Sequence, residues 1–260
     1  MHVVVTGASA GIGEALVRAW ARQGASVTLV ARRKDRLDQI AKEVGGKTFV
    51  HAADLGDSDH ATSFLAEAEA ALGPVDVLVN NAGVQFIEET ELASPDKGEG
   101  LLRLNVFTPL RLTLAVLPGM IARGKGTIVD ISSMAALSPM PGMFYYNAAK
   151  GAIANASEGL RGEVRGRGVH VLTVYPGPVD TDMGRKGYQR YEQTWSSKLS
   201  PQGNSEDLAK LILGGVARRK ARIIYPRLYA VALSFPRLSR WFTGRFSPPI
   251  RPQLPPATKT

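Results

Sequence analysis

The chain has 260 residues, enough to bury a sizeable core in one α/β unit, and it carries a net charge of +9. It has no cysteine, which excludes a disulfide framework, thiolate chemistry and a cysteine metal site. Its four histidines, His2, His51, His60 and His170, are scattered without ligand spacing, so they read as strand-edge or surface residues and no metal is expected.

Taken in chain order, apolar β-prone runs alternate with helical patterns. A buried strand at 3–6 starts almost at the initiator methionine; no leader is expected and a cytoplasmic location follows. A glycine-rich turn comes next, then a helix near 11–23, a strand at 26–31, a helix near 34–44 and a strand at 48–52. The pattern continues with a helix near 58–72, a strand at 75–80, a long helix near 98–123 and a strand at 126–131. A helix near 142–167, a strand at 169–175, a helix near 205–220 and a short strand at 222–224 complete it. Such alternation predicts one parallel sheet of seven strands, doubly wound, with helices on both faces and right-handed crossovers.

Two places in this frame carry chemistry. Tyr146 and Lys150 lie four apart, about one helical turn, so both fall on one helix face. There the ammonium is expected to stabilise the phenolate and draw the tyrosine down toward the working range of a general acid/base. Ser133 closes the apolar run 126–133, at the carboxyl end of the strand at 126–131, where open α/β sheets place ligands. By itself a Tyr and Lys pair at this spacing is most often a surface feature. At the other end of the chain, Thr6-Gly7-Ala8-Ser9-Ala10-Gly11-Ile12-Gly13 joins a buried strand to a helix. Gly7 permits a tight turn, Gly11 lets the backbone approach a pyrophosphate, and Gly13 lets helix and strand pack closely.

With these motifs the chain resembles the short-chain dehydrogenase/reductase family. The resemblance rests on the glycine-rich turn, Asp54, Asn80-Asn81-Ala82-Gly83, Asn105, Ser133, Tyr146 with Lys150, and Pro176-Gly177-Pro178-Val179-Asp180-Thr181, in the family's order over residues 2–225. It implies a Rossmann-type sheet in the order 3-2-1-4-5-6-7. It also implies a nicotinamide dinucleotide held by Gly7, Ser9, Gly11, Ile12 and Gly13 in the turn. Asp54 would lie at the adenine, and Asn81, Ala82 and Gly83 beside the adenosine. Pro176, Gly177, Val179 and Thr181 would meet the nicotinamide carboxamide. Catalysis would fall to Asn105, Ser133, Tyr146 and Lys150: the two hydroxyls hold a carbonyl oxygen, Tyr146 exchanges its proton, Lys150 also binds the nicotinamide ribose, and Asn105 holds a water that feeds Lys150. Tyr145, with alanine four residues on, reads as a packing or substrate-contact residue.

Cofactor choice is argued from Arg32-Arg33-Lys34, three cations where an NAD-preferring site carries a carboxylate. Arg32 or Arg33 suits the extra phosphate of NADP(H); alternatively the cations line a solvated helix start. After the Pro-Gly turn, 182–201 reads as a lid with Met183, Tyr188, Tyr191 and Trp195. With Met134, Leu137, Met140, Met143 and Phe144 it would wall a hydrophobic ketone, aldehyde or alcohol substrate. The domain is expected to end near 225, and a homodimer or homotetramer is expected through the helices near 98–123 and 142–167. A non-catalytic dinucleotide-sensing or membrane-associated scaffold of the same fold is the second functional class.

Residues 208–260 hold eleven Lys and Arg and no Asp or Glu, so the basicity belongs to the C-terminal part and residues 1–207 carry −2. Cations there interleave with Trp241, Phe242 and Phe246. Three readings stay open for this part: Leu228–Phe242 as a cover over the pocket or a neighbouring subunit, a peripheral membrane contact, or a nucleic-acid contact, which no motif supports; 226–260 is set apart as a C-terminal extension. The proline-rich stretch 247–256 is expected to be extended or disordered.

Overall fold

The computed structural model describes residues 1–192, 194 and 201–252. Seven parallel strands form one sheet in the order β3-β2-β1-β4-β5-β6-β7. They are β1 His2–Thr6, β2 Ser26–Ala31, β3 Thr48–Ala52, β4 Val77–Asn80, β5 Gly126–Ile131, β6 Val169–Pro176 and β7 Arg222–Tyr225. The period-2 alternation of strands sends Val3 and Val5 to one face and Val4 to the other. The first face packs on α1 Gly11–Arg22, α2 Lys34–Val44 and α8 Ser205–Ala217 through residues such as Trp20, Leu37 and Ile212. The second packs on α3 Leu65–Leu72 and α5 Thr108–Ala122 through Phe64, Leu65, Leu112 and Met120. Burial on both faces explains why the central strands read as continuous apolar runs.

Several predicted elements differ from the observed ones; the helices near 142–167 and 205–220 run Phe144–Glu163 and Ser205–Ala217. The helix expected from 58 begins only at Leu65. Residues 58–64 instead make short i→i+3 backbone turns, such as Ala61 N to Ser58 O and Ser63 N to His60 O. β4 starts at Val77, not 75. The long helix near 98–123 is divided: α4 Pro95–Leu102, a π turn Arg103–Phe107, then α5. Pro109 has no N–H to return to the Asn105 carbonyl, so the ladder widens, with Thr108 N donating to Arg103 O. By length and composition Pro95–Ala122 could cross a membrane, yet Leu101 is fully buried and Leu112 and Met120 are buried against the sheet, as in a core helix.

The remaining helices are α6 Phe144–Glu163, α7 Asp182–Tyr188, α9 Val231–Ser234 and α10 Pro236–Phe246. The segment past β7 folds back over the substrate side. A 3₁₀ turn Arg227–Ala230, α9 and α10 lie along the cavity described below. Ser239 hydrogen-bonds Ser138, and the extended residues after α10 tie down Tyr191 through the Tyr191–Ile250 bridge and Glu192 N donating to Pro249 O at 2.9 Å. The expected lid residues 193 and 195–200, with Trp195, and the proline-rich 253–256 lie outside the described residues.

Candidate active site

The order 3-2-1-4-5-6-7 places a reversal between β1 and β4, and the carboxyl ends of the strands there open onto one large cavity of about 940 Å³. Thr6 sits behind this end of the sheet: its hydroxyl donates to Val79 O at 3.0 Å and accepts from Asn81 N and Ala82 N at 2.9 and 3.0 Å, locking β1 to the turn after β4. Asn81 Nδ2 returns a bond to Thr6 O at 2.9 Å. Asn81, Ala82 and Gly83 line the cavity as expected. Asn80 points away from it, donating to Asp130 Oδ1 at 2.8 Å and to Thr113.

Gly7, Ser9, Gly11 and Ile12 line the same cavity; Gly13 lies behind them. Gly7 has φ +67, and a Cβ there would come within 2.9 Å of Ala82 Cα. A Cβ on Gly13 would fall 2.2 Å from Gly7 O, so only glycine lets α1 start this close to the turn. The result is a helix N-terminus with no side-chain cap, opening on a cavity bordered by Arg32 and Arg33. These donors suit a dinucleotide's phosphates. Arg33 is held by Ser9, donating from Nη2 to its hydroxyl at 3.0 Å and its carbonyl at 3.1 Å. Asp54 also lines the cavity, its carboxylate accepting from Gly56 N at 2.9 Å.

Ser133, Tyr146 and Lys150 converge further along. Ser133, two residues past β5, donates to Pro176 O at 3.5 Å and accepts from Ala135 N at 3.1 Å. Lys150 is buried, donates from Nζ to Ile131 O at 2.9 Å, and sits 5.7 Å from the centre of the Tyr146 ring. Ser132 reaches the helix, donating to Lys150 O at 2.8 Å. The expected depression of the tyrosine does not hold: burial pushes Tyr146 above its usual value, and the neighbouring Ser133 hydroxyl opposes that rise. Burial acts on Lys150 too, lowering it to about 8 against the pull of Asp130. Both shifts have the same cause: desolvation disfavours phenolate and ammonium alike.

Asn105, in the π turn, does not line the cavity. Its amide is committed at both ends, accepting from Val84 N and donating to Val84 O, each at 2.9 Å. A Cβ on Gly83 would lie 3.1 Å from Asn105 Oδ1 and 3.6 Å from Lys150 Nζ, so this backbone runs between the two side chains.

Pro176, Gly177, Val179 and Thr181 line the cavity beside Tyr146, and Thr181 caps α7 by accepting from Gly184 N at 3.0 Å. Beyond them Met134, Met140, Met143, Met183, Tyr188 and Tyr191 make the apolar wall. Leu137 and Phe144 do not; Phe144 is turned to solvent, and Tyr145 packs against Gly98 of α4. The sequence reading missed Gln85; Tyr229 and the inner side of α10 lie mostly in Leu228–Phe242, the stretch read as a cover for the pocket or a neighbouring subunit, and they line the cavity. Gln85 could have been found as the continuation of the Asn-Asn-Ala-Gly turn. Tyr229, whose ring closes on Gly177, has no local signal. Among the described residues no His, Cys, Asp or Glu cluster could hold a metal ion.

The doubly wound sheet thus brings a glycine turn, two arginines and a Ser, Tyr and Lys set onto one cavity. The comparisons agree: the family model described as short chain dehydrogenase matches residues 1–192, and the chain belongs to that family of NAD(P)-dependent oxidoreductases. It is 39% identical over 188 residues to a short chain dehydrogenase of Pseudocercospora fijiensis, a match covering 70% of this chain and 60% of that protein, so the chain spans only part of that relative's length. A short-chain dehydrogenase from Streptomyces avermitilis superposes with a TM-score of 0.80 at 28% identity, covering 94% of both chains. L-sorbose reductase from Gluconobacter frateurii, solved with NADPH and L-sorbose, gives 0.76 at 27% identity over 86% of this chain and 94% of its own.

Proposed function

We propose that the chain is an NADP(H)-dependent oxidoreductase that interconverts a hydrophobic ketone or aldehyde and its alcohol. The observation that carries this reading is the continuity of one cavity, from the glycine turn and Arg32 and Arg33, past Ser133 and Tyr146, to a methionine and tyrosine wall. The bound dinucleotide would supply the hydride. Gly7, Ser9, Gly11 and Ile12 present backbone donors to its phosphates, and Arg32 and Arg33 favour the phosphorylated form. The relative that takes L-sorbose acts on a polar sugar. The hydrophobic substrate class rests instead on this chain's own lining.

In the reductive direction Ser133 and Tyr146 hold the carbonyl oxygen with their hydroxyls, so donors stand ready where negative charge develops. Tyr146 gives its phenolic proton to that oxygen, and its elevated ionisation keeps the proton on the ring beforehand. Lys150, still mostly an ammonium at pH 7, faces the resulting phenolate and returns the proton. The Asn105 amide is occupied by Val84, so the water that recharges Lys150 is assigned to the Asn105 carbonyl, which Pro109 leaves without its usual helical donor. The reading also carries a homodimer or homotetramer, a catalytic unit ending near residue 225 with 182–201 as its lid, and a cytoplasmic location with the C-terminal segment at a membrane periphery. Consumption of NADPH and NADH by the purified chain against hydrophobic ketones, aldehydes and quinones tests it. Turnover that favours NADPH supports the assignment, and equal or better turnover with NADH overturns the cofactor choice.

A further inference from the structure

Seven of the fourteen exposed large apolar side chains among the described residues fall between Leu228 and Phe242. They form two sets. Leu228, Val231, Leu238 and Phe242 line the active-site cavity while remaining 47–69% exposed, and Met183 on α7 does the same at 41%. An apolar collar therefore surrounds the cavity mouth. Leu233, Phe235 and Trp241 do not line the cavity, yet are 39–61% exposed. Interleaved with them are Arg227, Arg237, Arg240 and Arg245, all exposed and none in an ion pair with a carboxylate among the described residues. The acidic groups at the mouth are Asp182, already paired with Arg185, and Glu192. A soluble monomer has no use for this much unpartnered apolar surface, and cations flanking an aromatic-rich short helix suit one partner, a negatively charged lipid surface.

We propose that α10, α9 and the 3₁₀ turn before them dock the protein on an anionic bilayer with the cavity mouth facing the acyl region, so that a lipid-dissolved substrate enters without crossing water. Delivery of substrate rests on the oxidoreductase reading above; docking does not. The apolar collar accounts for the short depth of insertion, since no span is needed. The arginines account for the choice of anionic over neutral lipid.

The test is sedimentation of the full chain with vesicles of phosphatidylcholine plus phosphatidylglycerol, against vesicles of phosphatidylcholine alone, with tryptophan emission recorded in both. Binding to the anionic vesicles, weakened by salt and accompanied by a blue shift, is expected. Arg237→Gln with Arg245→Gln should weaken partition about 25-fold, about fivefold for each cation lost. Phe235→Ser with Trp241→Ser should abolish binding and blue shift while circular dichroism and NADPH binding stay unchanged. Equal binding to both vesicle types, no binding, or variants that sediment like the wild type overturn the proposal. So does a vesicle-free oligomer that these variants dissociate, which would make the collar a contact between copies. Because sedimentation needs no turnover, a failure here leaves the oxidoreductase reading standing, and an inactive protein that still binds leaves docking standing.

Discussion

Replacing Lys150 by methionine should stabilise the protein while removing its activity. Lowering a lysine from 10.5 to about 8 by burial costs the folded state about 3 kcal/mol at neutral pH. Methionine fills nearly the same volume without the charge. It forfeits the hydrogen bond to Ile131 O, worth about 1 kcal/mol, and leaves Asp130 without its nearby cation. The net gain is then about 1–2 kcal/mol, or a Tm higher by about 3–6 °C in a chain of this size. The sign can be checked by pH. Between pH 8 and 10.5 the unfolded chain still holds a proton that folded Lys150 has released, so wild-type stability rises with pH across that window. The penalty is present in full below pH 8 and gone above 10.5. Urea unfolding of both proteins at neutral and alkaline pH measures this, and the advantage of Lys150→Met should shrink across the window. A variant less stable than wild type at pH 7, with a gap that ignores pH, would show that the ammonium is compensated where it lies and that the desolvation argument is wrong.

Ser133→Ala removes the group that opposes the upward push of burial on Tyr146, so the acid limb of the pH profile for alcohol oxidation should move to higher pH. Loss of one donor to the carbonyl oxygen should also cut kcat by on the order of 10²–10³; an unmoved limb would separate Ser133 from the tyrosine's ionisation. Arg32→Ser combined with Arg33→Ser should weaken NADPH about tenfold or more for each cation, with NADH little changed, measured by fluorescence titration. A parallel loss of both dinucleotides would mean the arginines hold the turn through Ser9 and do not select the phosphate.

Much of this was legible in the chain because local and global signals agree. The β1 run, the glycine turn and the period of α1 each point to a strand, turn and helix, and the structure places them so. Seven strands alternating with helices pointed to a parallel doubly wound sheet, and the family resemblance supplied its order. The failures are of another kind. The division at Arg103–Phe107 depends on a single missing N–H at Pro109, invisible to apolar periodicity. The shift of Tyr146 depends on how deeply neighbours bury it, which spacing alone does not give. The cover formed by α9 and α10 was left open among three readings because basic and apolar residues in a tail carry no address. Only tertiary contacts such as Ser138 with Ser239 determine which face turns inward.

The most direct test of the central claim is Tyr146→Phe, with NADPH binding and the rate of substrate reduction measured on the same preparation. If Tyr146 supplies the proton, binding is retained and the rate falls by about 10²–10⁴. A variant that binds NADPH and reduces substrate at the wild-type rate would contradict the account.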